Sequence, residues 1–165
     1  MAQTTYGFAT PVGNAGGLYD VSNYVMNSRI NGEETDGSLK FGMGCVQGDI
    51  PGQTITKPTA ASTLAKFEGI VMNGGITEMD KSGKAVICSN ATVNVLRSGR
   101  AWVRIGADQE PKYGDPVHLL NSGEEAGCFA TAGGIAVNAM FIGSKGTGNV
   151  APIDLYYQQN VSAGA

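Results

Sequence analysis

The stretch that decides the fold is ATVNVLRSGRAWVRIG, residues 91–106. Two runs of alternating apolar and polar residues meet there at Ser98-Gly99, where a glycine can take the positive φ that a tight loop needs. The pattern predicts a β-hairpin with strands over 91–97 and 100–105. With a two-residue loop, one face carries Val93, Val95, Arg97, Arg100, Trp102 and Arg104, and the other carries Thr92, Asn94, Leu96, Ala101, Val103 and Ile105.

Two charge questions follow from that hairpin. Arg97 opposite Arg100 is a like-charge pair, so either the loop is longer than two residues or this end is solvated or meets an acidic partner. Trp102 with Arg100 and Arg104 on one side has two interpretations. These side chains contact the acidic surface of a partner, or Trp102 is a core residue flanked by arginines that reach out to water.

The rest of the chain also indicates strands. Short β-branched runs recur between Gly, Asn and Asp turns, and no apolar stripe of helical period lasts three turns. Further strands are predicted over 39–46, 53–56, 66–72, 84–87, 116–120, 127–130, 136–141 and 151–157. Residues 57–65 favour one or two helical turns. We therefore expect an all-β fold, a single β-sandwich or small β-barrel domain with little helix and an extended N-terminal arm.

The N-terminal region is nearly free of charge, since Asp20 is the only side chain from residue 1 to residue 28 that is charged at neutral pH. Aromatic residues stand there among glycines: Tyr6, Phe8, Tyr19 and Tyr24. One interpretation is an arm that docks on a partner through these aromatic anchors, and the other is the first strand or two of the domain. The predicted organisation is an arm over 1–38, a β-rich domain over 39–157 and a short tail over 158–165.

Composition limits the function classes. The chain has 165 residues, 15% of them charged, with 25 glycines and a net charge of −3. Its Lys and Arg are scattered, which argues against nucleic acid as a partner. A membrane span and a signal sequence are not expected, so synthesis in the cytoplasm is predicted. Three widely spaced cysteines favour small buried thiols over disulfides.

Catalysis finds little support in the sequence. His118 is the only histidine and lies in a predicted strand, where a packing role is favoured over that of a base. G-x-S-x-G, EF-hand and zinc-site patterns are missing from the sequence. We expect no enzyme activity, no catalytic residues, no metal site and no cofactor.

The order of the motifs is more informative than any single one. The motifs are, in order, Gly16-Gly17-Leu18-Tyr19-Asp20, Phe41-Gly42-Met43-Gly44, Phe67-Glu68-Gly69-Ile70-Val71, the 93–105 segment, Gly114-Asp115-Pro116-Val117 and Ala151-Pro152-Ile153-Asp154-Leu155. This succession resembles the structural cement, or capsid decoration, proteins of tailed bacteriophages. The resemblance implies a virion protein, made in the host bacterial cytoplasm, that binds the outside of the capsid and bridges neighbouring major capsid subunits, often as a homotrimer.

Two other classes stay open. Another phage structural part, such as a tail-tube or head-completion protein, also uses β-domains with ordered arms. A small-ligand or glycan-binding β-domain would show a deep apolar pocket with a few polar groups. For the capsid interpretation, the expected contact residues are Tyr6, Phe8, Tyr19, Tyr24, Arg100, Trp102 and Arg104.

Overall fold

The computed structural model describes residues 12–74 and 78–157. Regular structure in these ranges consists of nine β-strands and one short 3-10 turn, Leu64–Lys66. The strands are β1 (Val25–Asn31), β2 (Gly44–Gln47), β3 (Thr54–Thr56), β4 (Phe67–Val71), β5 (Thr92–Arg104), β6 (Pro116–Leu119), β7 (Phe129–Ala130), β8 (Ile135–Phe141) and β9 (Val150–Leu155). The expected all-β class with little helix is confirmed.

The first half of the sheet closes into a ring. Strands follow the order β1-β3-β2-β4-β5, and β1 pairs again with β5. The β1–β3 pair is parallel and the other pairs are antiparallel. Apolar side chains fill the ring: Leu39, Cys45, Ile55, Val71, Ile87, Val93 and Val95. Closure leaves little free strand edge in this small barrel-like unit apart from β1 before Ile30, where the pairing with β3 begins.

The second half of the sheet grows from the other end of β5. Residues Gly99 to Arg104 pair with β9, and β8, β6 and β7 follow in that order. A parallel bridge from Ile105 to Phe129 returns the last strand to the end of β5. The larger core cluster lies here, with Phe129 and Phe141 fully buried. Strand β5 is therefore shared by both halves of the fold.

The predicted hairpin at Ser98-Gly99 is wrong, because β5 is one continuous strand of 13 residues. The pairing with β1 shifts between Val25 and Met26, which leaves Arg97 as an extra residue on β5. Leu96 and Ala101 then face the same core, although regular alternation would place residues five apart on opposite faces. An extra residue of this kind interrupts the alternation of apolar and polar residues in the sequence, and a turn between two strands interrupts it in the same way.

Other boundaries also differ. The strand predicted over 39–46 is reduced to β2, and residues 84–87 contribute one isolated bridge between Ala85 and Met79. The helical turns predicted over 57–65 reduce to the 3-10 turn at Leu64–Lys66. Within the range expected to be an arm, 1–38, residues 25–31 form β1 and complete the ring. The strands expected over 53–56, 66–72, 116–120, 136–141 and 151–157 match observed strands within two residues at each end.

Candidate interaction surface

Residues 12–24, here called the strap, lie against the domain just before β1. Leu18 is paired with Ala101 of β5. The Trp102 N–H donates to the Gly17 carbonyl at 2.9 Å, and the Gly16 N–H donates to the Trp102 carbonyl at 2.8 Å. The strap and β1 therefore both follow β5 in the antiparallel direction.

Trp102 is the apolar anchor of the strap. Its side chain is buried at 6% exposure, and the Tyr19 ring lies 5.6 Å away, tilted by 46°. A Cβ at Gly13 would overlap the indole, so the chain can cross the ring only where it has no side chain. The rings of Trp102 and Tyr19 thus contact each other inside one chain.

Arg100 links the strap to the sheet by charge. Its Nη1 lies 3.0 Å from Asp20 of the strap, and its Nε lies 3.1 Å from Asp154 of β9. Hydrogen bonds from Ser22, followed by the Arg100 guanidinium, hold the pKa of Asp20 below its usual value. The two carboxylates raise the pKa of Arg100 in turn. Arg100 is 42% exposed, so this ion pair is screened by water and salt.

Arg104 binds main chain instead of a carboxylate. Its Nε donates to the Phe41 carbonyl at 2.8 Å, and its N–H donates to the Gly42 carbonyl at 2.9 Å. The residue therefore fixes the loop before β2 against the end of β5.

Five of the seven expected contact residues are described by the structure, and they lie in three places. Tyr19, Arg100 and Trp102 come together under the strap, and Arg104 lies apart at the loop before β2. Tyr24 is half exposed and packs its Cβ against Gly99. The remaining two, Tyr6 and Phe8, lie outside the described residues.

A buried carboxylate that sequence reasoning missed lies at one end of the first ring. The shift in pairing between β2 and β4 leaves Glu68 as an extra residue on β4. Its Oε2 lies 2.7 Å from Arg97 and 3.3 Å from Arg29, and its Oε1 accepts from Gln47 at 3.1 Å. Arg97 therefore has a carboxylate partner, which it shares with Arg29, and it does not lie opposite Arg100 because β5 is one continuous strand. A glycine inside a predicted strand, Gly69 directly after Glu68, is a signal that could have indicated the bulge but not the partners of Glu68.

Exposed apolar side chains form the other surface feature. Val21, Tyr24 and Val25 lie around the start of β1 with exposures of 95%, 49% and 46%. Tyr156 and Tyr157 follow the end of β9, which pairs with β5 at Gly99. Val21, Val25, Tyr156 and Tyr157 were not among the expected contact residues, although an aromatic pair at the end of a predicted strand is visible in the sequence.

A groove of about 680 Å³ runs between the loop before β2 and residues 79–88. Lys40, Asp80 and Lys84 line it together with Phe41 and Met79. The lining mixes both charges with apolar groups. It differs from the deep apolar pocket expected of a small-ligand domain.

The titratable groups of the described ranges show no catalytic arrangement. Within residues 12–74 and 78–157, no three His, Cys, Asp or Glu side chains are placed to hold a metal ion. His118 Nδ1 lies 2.9 Å from the Gly133 carbonyl, a packing role within the sheet. Burial raises the pKa of Cys45, and a hydrogen bond with Glu78 raises that of Cys88 to about 11. Neither thiol is a ready nucleophile at neutral pH.

The same ranges contain no helix with the length and apolar character needed to cross a membrane. The fold and its surfaces thus define a small all-β domain whose distinctive exposed groups are aromatic and aliphatic.

The comparisons with known proteins agree with this class. The family model described as "Structural cement protein (E217 gp24/Pam3 gp6)" matches residues 2–156. A chain in the solved structure "The capsid of Myoviridae Phage XM1" has the same fold, with a TM-score of 0.64 and 18% sequence identity. The match covers 93% of this chain and 96% of that one. No curated protein matches.

The family match spans nearly the whole sequence, so the chain belongs to the structural cement protein family of phages. It is a structural protein of the virion, as the order of its motifs indicated.

Proposed function

We propose that this protein binds the outer surface of a tailed-phage capsid and cements neighbouring major capsid subunits. It acts as a homo-oligomer, with a trimer as the simplest arrangement, and it is not an enzyme. Its partners are the major capsid protein and further copies of itself, with neither nucleic acid nor membrane involved. The observation that carries the proposal is the family match over residues 2–156 on a β-rich domain.

The surface chemistry supports contact with protein. Tyr24 and Val25 are adjacent, and each is nearly half exposed. Exposed apolar side chains that adjoin one another are typical of an interaction surface. Aromatic residues give large contact area at little cost in rotamer freedom and are common energetic centres of interfaces. We assign Tyr24 to the capsid contact, together with Tyr6 and Phe8 from the residues before the strap.

The other expected contact residues have an indirect part in this proposal. Trp102, Tyr19 and Arg100 hold the strap on its own domain, and Arg104 holds the loop before β2. They position the N-terminal region for binding, since the strap fixes where residues 1–11 leave the domain. Their loss would weaken capsid binding by releasing that exit point.

The physical basis of cementing is linkage. A protein that binds only the expanded shell stabilises it by an amount that grows with the ratio of free concentration to Kd. Each copy that touches two shell subunits adds contacts that rupture must break, and repeated copies multiply the effect. An interface of roughly 800 Å² per partner is enough for specific binding.

The direct test mixes the purified protein with expanded heads that lack it and sediments the heads. We expect co-sedimentation in a fixed ratio to the major capsid protein, and heads that withstand more heat or dilution after binding. A ratio of only a few copies per head would instead favour a tail or head-completion part.

A pair of matched variants tests the assigned surface. Tyr24→Ser removes a half-exposed ring beside β1 and should weaken co-sedimentation, whereas Ile50→Ser removes an equally exposed side chain on the β2–β3 turn. The Ile50→Ser protein should bind like the unaltered chain. Equal binding by both variants would remove Tyr24 from the contact.

A further inference from the structure

We infer that the open edge of β1 receives residues 3–10 of a neighbouring copy as an added strand. The inference rests on the proposed function, because it names how copies on the shell join one another. It concerns main-chain hydrogen bonds between copies, whereas the assigned capsid contact is made by aromatic side chains.

The outer edge of β1 is paired over only part of its length. The Asn31 N–H donates to the Ala91 carbonyl just before β5, and the Ile30 N–H donates outward to the Gln53 carbonyl before β3. The main-chain N–H and C=O groups of successive residues point to opposite edges of a strand. Those of Met26 and Ser28 therefore point to the same outer edge as those of Ile30. The β3 pairing includes only Ile30 and Asn31.

The outward groups of Met26 and Ser28 are available for a new strand. Among the described residues, neither backbone N–H has a partner, and only the Ser28 carbonyl is engaged, by the Arg29 side chain at 3.0 Å. An unpaired edge of this kind is a template for strand addition. Pairing there would join two chains mainly through main-chain bonds.

The surroundings of the edge fit an uncharged, partly aromatic strand. Tyr24, Val25 and Ile30 leave apolar surface exposed along it. Arg29, the one charged side chain of β1, turns to Glu68 at the end of the ring. A charged peptide would find no free partner on β1 itself.

Residues 1–11, MAQTTYGFATP, have the matching chemistry. They carry no side chain that is charged at neutral pH, and Thr4, Tyr6, Phe8 and Thr10 alternate with smaller or polar residues. This period of two places both aromatic rings on one face of a strand. Pro11 lacks an N–H and suits the end of such a strand.

The start of the strap lies far from this edge. Val12 packs against Gly146. Gly146 is bridged to Val150, and Val150 pairs with Arg104 at the end of β5. Val25 is level with Ser98, six residues away along β5, which is a span of about 20 Å.

That distance favours a neighbouring copy over the chain's own residues. Eleven residues reach about 36 Å when fully extended. A return to the chain's own β1 would use more than half of that reach, so Tyr6 and Phe8 would lie in the connection and not on the edge. Residues 3–10 of a neighbour are free of this constraint.

The test is disulfide cross-linking between two different chains, in a Cys88→Ser, Cys128→Ser background that retains the buried Cys45. One chain carries Ser28→Cys, and the other carries Thr4→Cys, Thr5→Cys or Ala9→Cys in turn. The inference predicts that oxidation of the mixture, in concentrated solution or on heads, gives a heterodimer for at least one arm position. No heterodimer in either setting overturns it, as does a chain with both cysteines that closes only on itself.

A proline pair supplies a test that does not need cross-linking. Ser28→Pro removes an N–H that points outward, so the melting temperature should hold while the molar mass by light scattering falls to that of a chain lacking residues 1–11. Asn27→Pro removes an N–H that faces β5 and should lower the melting temperature instead. An unchanged molar mass in Ser28→Pro, with the truncated chain smaller, would contradict the inference.

The two proposals fail in different ways. If the unaltered protein sediments with heads but no heterodimer forms, only the strand exchange is wrong. If the unaltered protein does not bind heads at all, the proposed function is wrong whatever the cross-linking shows.

Discussion

Two neighbouring segments, β1 and the strap, both follow β5 but are held by different forces. β1 has a ladder of six paired positions, closes a ring and carries Arg29 to the buried Glu68. The strap has one paired position with three main-chain hydrogen bonds to β5, a tyrosine ring on Trp102 and a half-exposed ion pair at Arg100. The difference predicts that the strap opens at much lower free energy than β1 does.

This difference bears on binding. A segment that must engage a shell or another copy has to move without unfolding the domain, and a weakly held strap next to a closed ring allows that. Variants in the ring should therefore change global stability, and variants in the strap should change local opening and binding.

The largest effect is expected from Gly69→Ala in the ring. Gly69 has φ of 143°, and a Cβ there would overlap the Leu96 carbonyl of β5. The bulge that turns Glu68 inward would be lost, with a cost of about 4 kcal/mol or more in the free energy of unfolding. Denaturant unfolding measures this change in the free energy of unfolding. Gly52→Ala, at φ 77° with open space around it, is the control and should cost only about 1 kcal/mol.

Trp102→Ala should come next, because it affects both segments. Loss of a buried indole on β5 should lower the free energy of unfolding by about 3 kcal/mol. The rate of hydrogen exchange at the Gly16 and Tyr19 amides should also rise, since both amides donate to β5 carbonyls next to the Trp102 indole. Gly13→Ala is the matched variant that disturbs only the strap. Equal protection of these amides in Gly13→Ala and the unaltered chain would show that Trp102 does not anchor the strap.

The smallest effect is expected from acid at the Asp20 contact. The folded-state pKa of Asp20 lies below its ordinary value of 3.8, so its ionised form stabilises the docked strap. That contribution is complete above pH 3.8 and is lost as the pH falls through the lowered pKa. Amide exchange in the strap, compared between the unaltered chain and Asp20→Asn, should differ at neutral pH and converge in acid. A constant difference across this range would remove Asp20 from the contact.

The sequence predicted the fold class and many of the strands because turns and β-branched runs are local signals. It failed at β5, where a phase change in alternation has the same appearance whether the chain turns or carries an extra residue at Arg97. It also left β1 inside the arm, because VMNSRIN mixes polar and apolar residues and gains its place only by pairing with β5.

The candidate site, too, could be predicted from the sequence only in part. Uncharged aromatic residues before β1 were visible in the sequence, but which of them are covered depends on long-range contacts such as Tyr19 on Trp102. The Glu68 cluster joins residues from four strands, and spacing along the chain does not reveal it.

The most direct test of the whole account is the copy number on heads of a chain that lacks residues 1–11. The nearly uncharged N-terminal stretch extends to residue 28, but a truncation there would remove most of β1. A truncation after residue 11 leaves both the strap and the ring of strands in place. We predict an unchanged melting temperature and a marked loss of copies per head. Full occupancy by the truncated chain would contradict the account, and so would a domain that no longer folds without those eleven residues.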